Sequence, residues 1–212
     1  MLRVTAMGLA ALTALVPASA MAGRRAIVVG ANDGGGLLDP LRYAEQDAQR
    51  VASVLEDLGG FDDVTLLLGS DGPAVRQAFD QARRTAADDD LLLFYYSGHA
   101  DAGGLRLGEH HYPWEELRSD LGAVPAAVHL GVLDACRSGI VTRLKGATVA
   151  EPFLGFEALD TEGHAWIAAS TADEDAQESE RLQGGFFTHF LVSGLRGAAD
   201  TGDGWVSLSE AY

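Results

Sequence analysis

VLDACRSG, residues 132–139, contains the only cysteine of this 212-residue chain. A lone thiol has no partner for an internal disulfide, so another use must explain it. A second stretch of similar design, LLLFYYSGH at residues 91–99, ends in His99. Each is an apolar run followed by small residues. This pattern predicts two buried parallel strands that each carry a reactive side chain at the C-terminal end.

Parallel strands of an open α/β sheet end at one edge, where side chains far apart in sequence come together. Cys136 and His99 are therefore candidates for a nucleophile and its base, with His99 later returning the proton as an acid. The alternative is that Cys136 is a small core residue and His99 a hydrogen-bonded residue at a strand end. The placement of both at the ends of apolar runs favours the catalytic pair.

The rest of the chain alternates between strand-like and helix-like segments, which predicts an α/β fold with a mostly parallel central sheet flanked by helices. Predicted strands are residues 25–32, 64–68, 128–133 and 165–169, and predicted helices are residues 41–58, 73–86, 114–121 and 185–195. Residues 105–107 and 111–112 are expected to pair as a small hairpin. Asp71 or Gly72 is expected to open the helix at residues 73–86.

The sequences YYSGH (residues 95–99) and DACRSG (residues 134–139) resemble the histidine and cysteine motifs of caspase-like peptidases, in particular the bacterial metacaspases. The resemblance extends from about Ala26 to Tyr212. It implies the caspase–haemoglobinase fold and a Cys–His dyad that works through a thioester acyl-enzyme. Residues 25–212 would be the peptidase domain, which this resemblance predicts to be incomplete at its C-terminal edge strand.

The same resemblance implies a specificity pocket for basic side chains. Animal caspases have Gln-Ala-Cys at the nucleophile, whereas here Asp134 stands two residues before Cys136. The residues Gln-Asp-Ala at 46–48 resemble the metacaspase motif that supplies a second carboxylate, which assigns Asp47 to the pocket. Ser170, in a segment that borders the cleft in the family, is a further expected substrate contact. Protein or peptide substrates with Arg or Lys before the cleaved bond are expected.

The expected oxyanion donors are the backbone N–H of Cys136 and that of Gly98 or Ala100. The family usually has glycine where this chain has Ala100, and alanine disfavours positive φ. The sequence therefore predicts a strained loop that displaces this donor. Arg143 and Lys145 follow the cysteine strand in a region that family members often cleave themselves, so both are candidate self-cleavage points.

Residues 1–22 combine an early Arg3, an apolar run from Val4 to Val16 and small residues before Ala22, which predicts a cleaved secretory signal peptide. The protein is expected to be exported, periplasmic or secreted, with no membrane association after cleavage. The net charge is −16, from 31 acidic and 15 basic residues. Phosphate backbones and anionic lipid surfaces would be repelled, which argues against nucleic acid as a partner.

Several weaker patterns predict no bound cofactor or metal. His110 and His111 are interpreted as surface residues, because neighbouring strand residues point to opposite faces. The segment from Asp200 to Glu210 imitates part of a calcium loop, but Ala199 occupies the first ligand position. Calcium activates some members of the family, but the sequence does not indicate whether it activates this protein. The sequence does not indicate the oligomeric state either. A nucleotide site rests only on the glycines after Asn32. The main alternative function is a catalytically silent caspase-like module that binds basic peptides or scaffolds an assembly.

Overall fold

The computed structural model describes residues 22–36, 38–135, 163–169, 178–202, 204, 206 and 210. The elements in chain order are β1 (Arg24–Ala31), α1 (Ala44–Asp57), β2 (Asp63–Leu68), α2 (Gly72–Thr85), β3 (Leu91–Gly98), β4 (Ala100–Asp101), β5 (Gly104–Leu107), β6 (His110–Pro113), α3 (Trp114–Gly122), β7 (Val128–Asp134), β8 (Gly163–Ala168), β9 (Glu178–Ser179), β10 (Gly184–Gly185), α4 (Phe186–Ser193) and a π-helical turn (Gly194–Ala198). The predicted signal sequence, Cys136, Arg143, Lys145 and Ser170 lie outside the described residues.

The central sheet has five parallel strands in the order β2-β1-β3-β7-β8. The histidine strand β3 and the cysteine strand β7 are direct neighbours, and Ser97 pairs with Asp134 in their register. His99 and Cys136 each follow this pair by two residues. The prediction of an α/β fold with a parallel sheet, and of two adjacent strands ending at one edge, is confirmed.

Alternating side chains of the strands build two separate cores, one on each face of the sheet. On one face, Val28 and Tyr95 pack in a buried cluster with residues of α1 and α4. On the other face, Phe94 and Tyr96 pack with residues of α2, α3 and the hairpin formed by β4, β5 and β6. Both faces of β3 are therefore buried, which explains why its sequence is a continuous apolar run.

The helix ends show which boundaries local sequence determines. Asp71 caps α2 as predicted, since its carboxylate accepts the N–H of Ala74 at 3.0 Å. The helix predicted from residue 41 instead begins at Ala44. The backbone N–H of Leu41 donates to the Asn32 carbonyl, and Glu178 accepts the N–H of Tyr43, so tertiary contacts hold the preceding residues in a loop.

The C-terminal helix also differs from its prediction. Helix α4 ends at Ser193 rather than at residue 195, and the chain continues as the π-helical turn, in which Gly197 has a φ of 100°. Before α4, the short strand β9 pairs antiparallel with β10. None of the described helices is both long and apolar enough to cross a lipid bilayer.

Candidate active site

The backbone at His99 is held by a tyrosine beneath it. The hydroxyl of the fully buried Tyr96 lies 2.7 Å from the carbonyl oxygens of both His99 and Arg106. The Tyr96 hydroxyl also explains why a glycine precedes His99, because a Cβ at Gly98 would come within 2.3 Å of the hydroxyl oxygen. Tyr96 and Gly98 together fix the backbone at the end of β3 and hence the position from which the His99 side chain extends.

The imidazole of His99 is oriented by a backbone carbonyl. Its Nε2 lies 3.0 Å from the carbonyl oxygen of Asp39, and a carbonyl can only accept a hydrogen bond. Nε2 therefore carries the proton in the neutral ring, and Nδ1 is the nitrogen that can take a proton from a thiol. This partner could not be predicted from the sequence, because every residue has a carbonyl oxygen.

The predicted oxyanion loop is not strained at Ala100. Ala100 lies in β4 opposite Leu105, and among the described residues Gln183 alone has a positive φ without being glycine. The expectation that alanine would strain this position is therefore wrong, since an extended backbone accepts any side chain. Alanine retains the N–H, and both Gly98 and Ala100 remain candidate donors beside Cys136.

The carboxylate of Asp134 is buried at the end of the cysteine strand, with 6% of its surface exposed. Its Oδ2 accepts the hydroxyl of Thr188 at 2.6 Å and the backbone N–H of Thr188 at 3.3 Å. The Tyr95 hydroxyl lies 2.5 Å from the same Thr188 oxygen. Asp134 therefore has protein partners on one oxygen and joins the strand to the first turn of α4, a structural role in addition to the predicted pocket.

Asp47 lies next to Asp134, as the family resemblance implied. Its side chain is 1% exposed, and its Oδ2 accepts the backbone N–H of Gly185 at 2.7 Å. A Cβ built on Gly185 would lie 2.6 Å from Asp134 Oδ2 and 3.2 Å from Asp47 Oδ2. The two oxygens are thus at most 5.8 Å apart, the sum of those distances, and only a glycine fits between them.

The pKa of the Asp47 carboxyl is raised from its ordinary value of 3.8 to about 7, chiefly by burial. The negative charges of Asp134 and Glu178 contribute to this rise, and the Gly185 N–H and Arg50 oppose it. Burial likewise raises the pKa of Asp134, partly offset by the bonds from Thr188. Two ionised carboxylates this close repel each other in a low dielectric. A substrate cation that contacts both carboxylates would relieve both the burial cost and the repulsion.

Two charged neighbours of this pair were not predicted. Glu178 in β9 accepts the backbone N–H groups of Arg42 and Tyr43 at 3.1 and 2.9 Å, so it ties β9 to the residues just before α1. Arg50, one turn along α1, places Nη1 3.3 Å from Asp47 Oδ1. In the sequence, Glu178 is one of several neighbouring acidic residues and Arg50 lies three residues after Asp47. Both patterns occur on many solvent-exposed surfaces.

The weaker metal patterns have ordinary structural explanations. His110 and His111 are exposed, and His111 Nε2 lies 3.3 Å from Asp101. Glu210, at the last position of the calcium-like loop, accepts the Thr201 hydroxyl at 2.7 Å. Within the part of the chain that is described, no cluster of three or more His, Cys, Asp or Glu residues is arranged to hold a metal ion.

A family model described as the caspase domain, of peptidase family C14, matches residues 23–204. Among curated proteins, none matches the chain. Solved structures with the same fold include protein GSU0716 from Geobacter sulfurreducens, with 19% identity, a TM-score of 0.62 and 82% of each chain covered. Caspase-1 from Spodoptera frugiperda is similar at 18% identity and a TM-score of 0.62, covering 83% of this chain and 71% of the other.

Proposed function

The chain belongs to the caspase domain family of cysteine peptidases, and we propose that it is an exported endopeptidase of metacaspase type that cleaves proteins or peptides after Arg or Lys. The observation that carries the specificity is the pair of buried carboxylates, Asp47 and Asp134, at the end of the cysteine strand. A guanidinium can bridge two carboxylates with its separate N–H groups, which favours arginine over lysine.

In the proposed mechanism, His99 takes the thiol proton of Cys136 through Nδ1, and the thiolate attacks the carbonyl carbon of the basic residue. The backbone N–H of Cys136, with that of Gly98 or Ala100, stabilises the oxyanion. The C–N bond then breaks, the leaving nitrogen takes the proton from His99, and the acyl group stays on sulfur as a thioester. Water, activated by His99, hydrolyses the thioester. The fixed Nε2 proton, held by the Asp39 carbonyl, supports this assignment.

The proposal is tested with a set of peptides that differ only in the residue before the cleaved bond: Arg, Lys, Ala and Asp. We expect kcat/KM for Arg and Lys to exceed that for Asp by about 10²-fold or more, because an anionic side chain would add to the repulsion within the carboxylate pair. Equal cleavage after Asp and Arg would reject the specificity. Binding of basic peptides without any cleavage would instead favour the silent module.

The dependence of KM on pH is expected to report Asp47. Below a pH of about 7 its carboxyl is protonated and attracts a cation weakly, so KM for arginyl substrates should fall as pH rises through this range. Asp47→Asn should keep KM high and nearly independent of pH. The measurement is KM and kcat between pH 5.5 and 8.5 for both proteins. A wild-type KM that rises with pH would contradict the assignment.

The same titration predicts a stability effect that serves as an independent check. Because the folded-state pKa of Asp47 lies above its ordinary value, ionising the carboxyl costs more in the folded protein than in the unfolded chain. Its contribution to stability is fully present below about pH 4 and is lost as pH rises to about 7. Unfolding by urea across this range should show this loss in the wild type and a smaller loss in Asp47→Asn.

A further inference from the structure

A cavity of about 370 Å³ lies beside the loop that contacts His99. It is lined by glycines 34, 35 and 36, Leu38, Arg106, Gly108 and Glu109. Gly34 connects it to the site, because a Cβ at Gly34 would come within 2.6 Å of Cδ2 in the His99 ring. The specificity pocket and the proposed chemistry leave this cavity unused.

The position of the cavity relative to the sheet indicates which part of a substrate would reach it. The cavity adjoins β5, whose Leu105 and Leu107 pack in the core on the α2 and α3 face. The carboxylate pair is instead bounded by α1, β10 and α4, which belong to the opposite face. His99 follows β3, which lies between these two layers, so a peptide whose basic side chain contacts the carboxylates would continue past His99 toward the cavity.

We propose that this cavity binds the first residues of the leaving peptide, the part of the substrate on the C-terminal side of the cleaved bond. The inference rests on the proposed function. When the C–N bond breaks, the nitrogen of the leaving peptide takes its proton from His99, so this nitrogen must lie at the imidazole. The residues that follow that nitrogen extend from His99 into the adjoining space.

The lining suits a peptide main chain rather than one type of charged side chain. Apart from chain neighbours, no atom of the described residues lies within 4 Å of the position that a Cβ would take at Gly36 or at Gly108, so an extended backbone can approach both glycines. Arg106 is paired with Asp101 at 2.8 Å, and Glu109 accepts the N–H of Gly36 at 3.2 Å. Because both signs of charge are present and partnered, we expect the cavity to add affinity with little preference for charge.

The two glycines with free space at their Cβ positions also provide a test of the proposal. Gly36 and Gly108 have φ values of 63° and 57°, a conformation that Asn tolerates better than most residues. Gly36→Asn and Gly108→Asn should therefore fill the cavity without breaking its loops. Two substrates share one sequence up to arginine: the first continues for four residues, and the second carries aminomethylcoumarin directly after arginine. The readout is the ratio of kcat/KM between them, which does not depend on the fraction of active enzyme.

We expect this ratio to fall by about tenfold in each cavity variant, because the added side chain blocks residues that only the longer substrate has. Gly60→Asn is the matched control: Gly60 also has a φ of 63° but precedes β2 at the opposite edge of the sheet, and its ratio should equal the wild-type ratio. An unchanged ratio in both cavity variants, or an equal fall in Gly60→Asn, would overturn the inference while leaving the proposed function intact. A wild type that cleaves neither substrate overturns both.

Discussion

Cys136→Ala is expected to abolish cleavage after arginine, with kcat/KM reduced on the order of 10⁴-fold or more, because no other group in the proposed mechanism can form the acyl-enzyme. The change removes a single sulfur atom, so the melting temperature should stay close to that of the wild type. The measurement is hydrolysis of a peptidyl-arginine coumarin amide, with thermal unfolding as the control for folding. Residual activity within about tenfold of the wild type would remove Cys136 from the mechanism.

Because the chain has one cysteine, labelling experiments need no background substitutions. A haloacetamide can modify only Cys136, and its rate reports how readily that thiol forms a thiolate. His99→Ala should slow this modification at neutral pH as well as abolish cleavage, since the base that takes the thiol proton is gone. Cys136→Ala should still bind a peptide that ends in arginine, because Asp47 and Asp134 remain. Together these results separate an inactive peptidase from a module that only binds.

The sequence predicted those parts of the fold that depend on local pattern. Two apolar runs ending in small residues predicted β3 and β7 as neighbours, and Asp71 followed by Pro73 predicted the start of α2. The start of α1 was predicted three residues too early, because its position depends on a hydrogen bond that the Tyr43 N–H donates to Glu178, 135 positions away. Contacts between distant segments leave no periodicity in the sequence.

Some residues of the candidate site could likewise be predicted from the sequence, and others could not. His99 was identified by its place at the end of a strand, whereas Asp47 was distinguished from other helix carboxylates only by the family resemblance. Thr188 and the Asp39 carbonyl were not predicted, although each sets the geometry of a predicted residue. Both act through hydrogen bonds between segments remote in sequence, and neither residue type marks a site by itself.

Asp134 has one observed role, as an anchor of α4, and one proposed role, in binding a substrate cation, and an experiment can separate them. Oδ2 anchors the first turn of α4 through Thr188, and the charge of the carboxylate is the property proposed to attract a substrate cation. Asp134→Asn separates these roles, because an amide oxygen can still accept both bonds from Thr188 while the side chain becomes neutral. Thr188→Val is the matched control, since it removes the hydroxyl bond and leaves the carboxylate in place.

For Asp134→Asn we therefore expect kcat/KM toward arginyl substrates to fall about 10²-fold or more, because a desolvated cation loses one of its two charged partners. The rate of Cys136 alkylation and the melting temperature should stay near the wild-type values. Thr188→Val should do the reverse, lowering the melting temperature while retaining most of the preference for Arg over Asp substrates. These quantities are measured at pH 8, above the raised pKa of Asp47. If Asp134→Asn instead lowers stability, alkylation and cleavage together, Asp134 is an anchor of α4 and the cation must bind elsewhere.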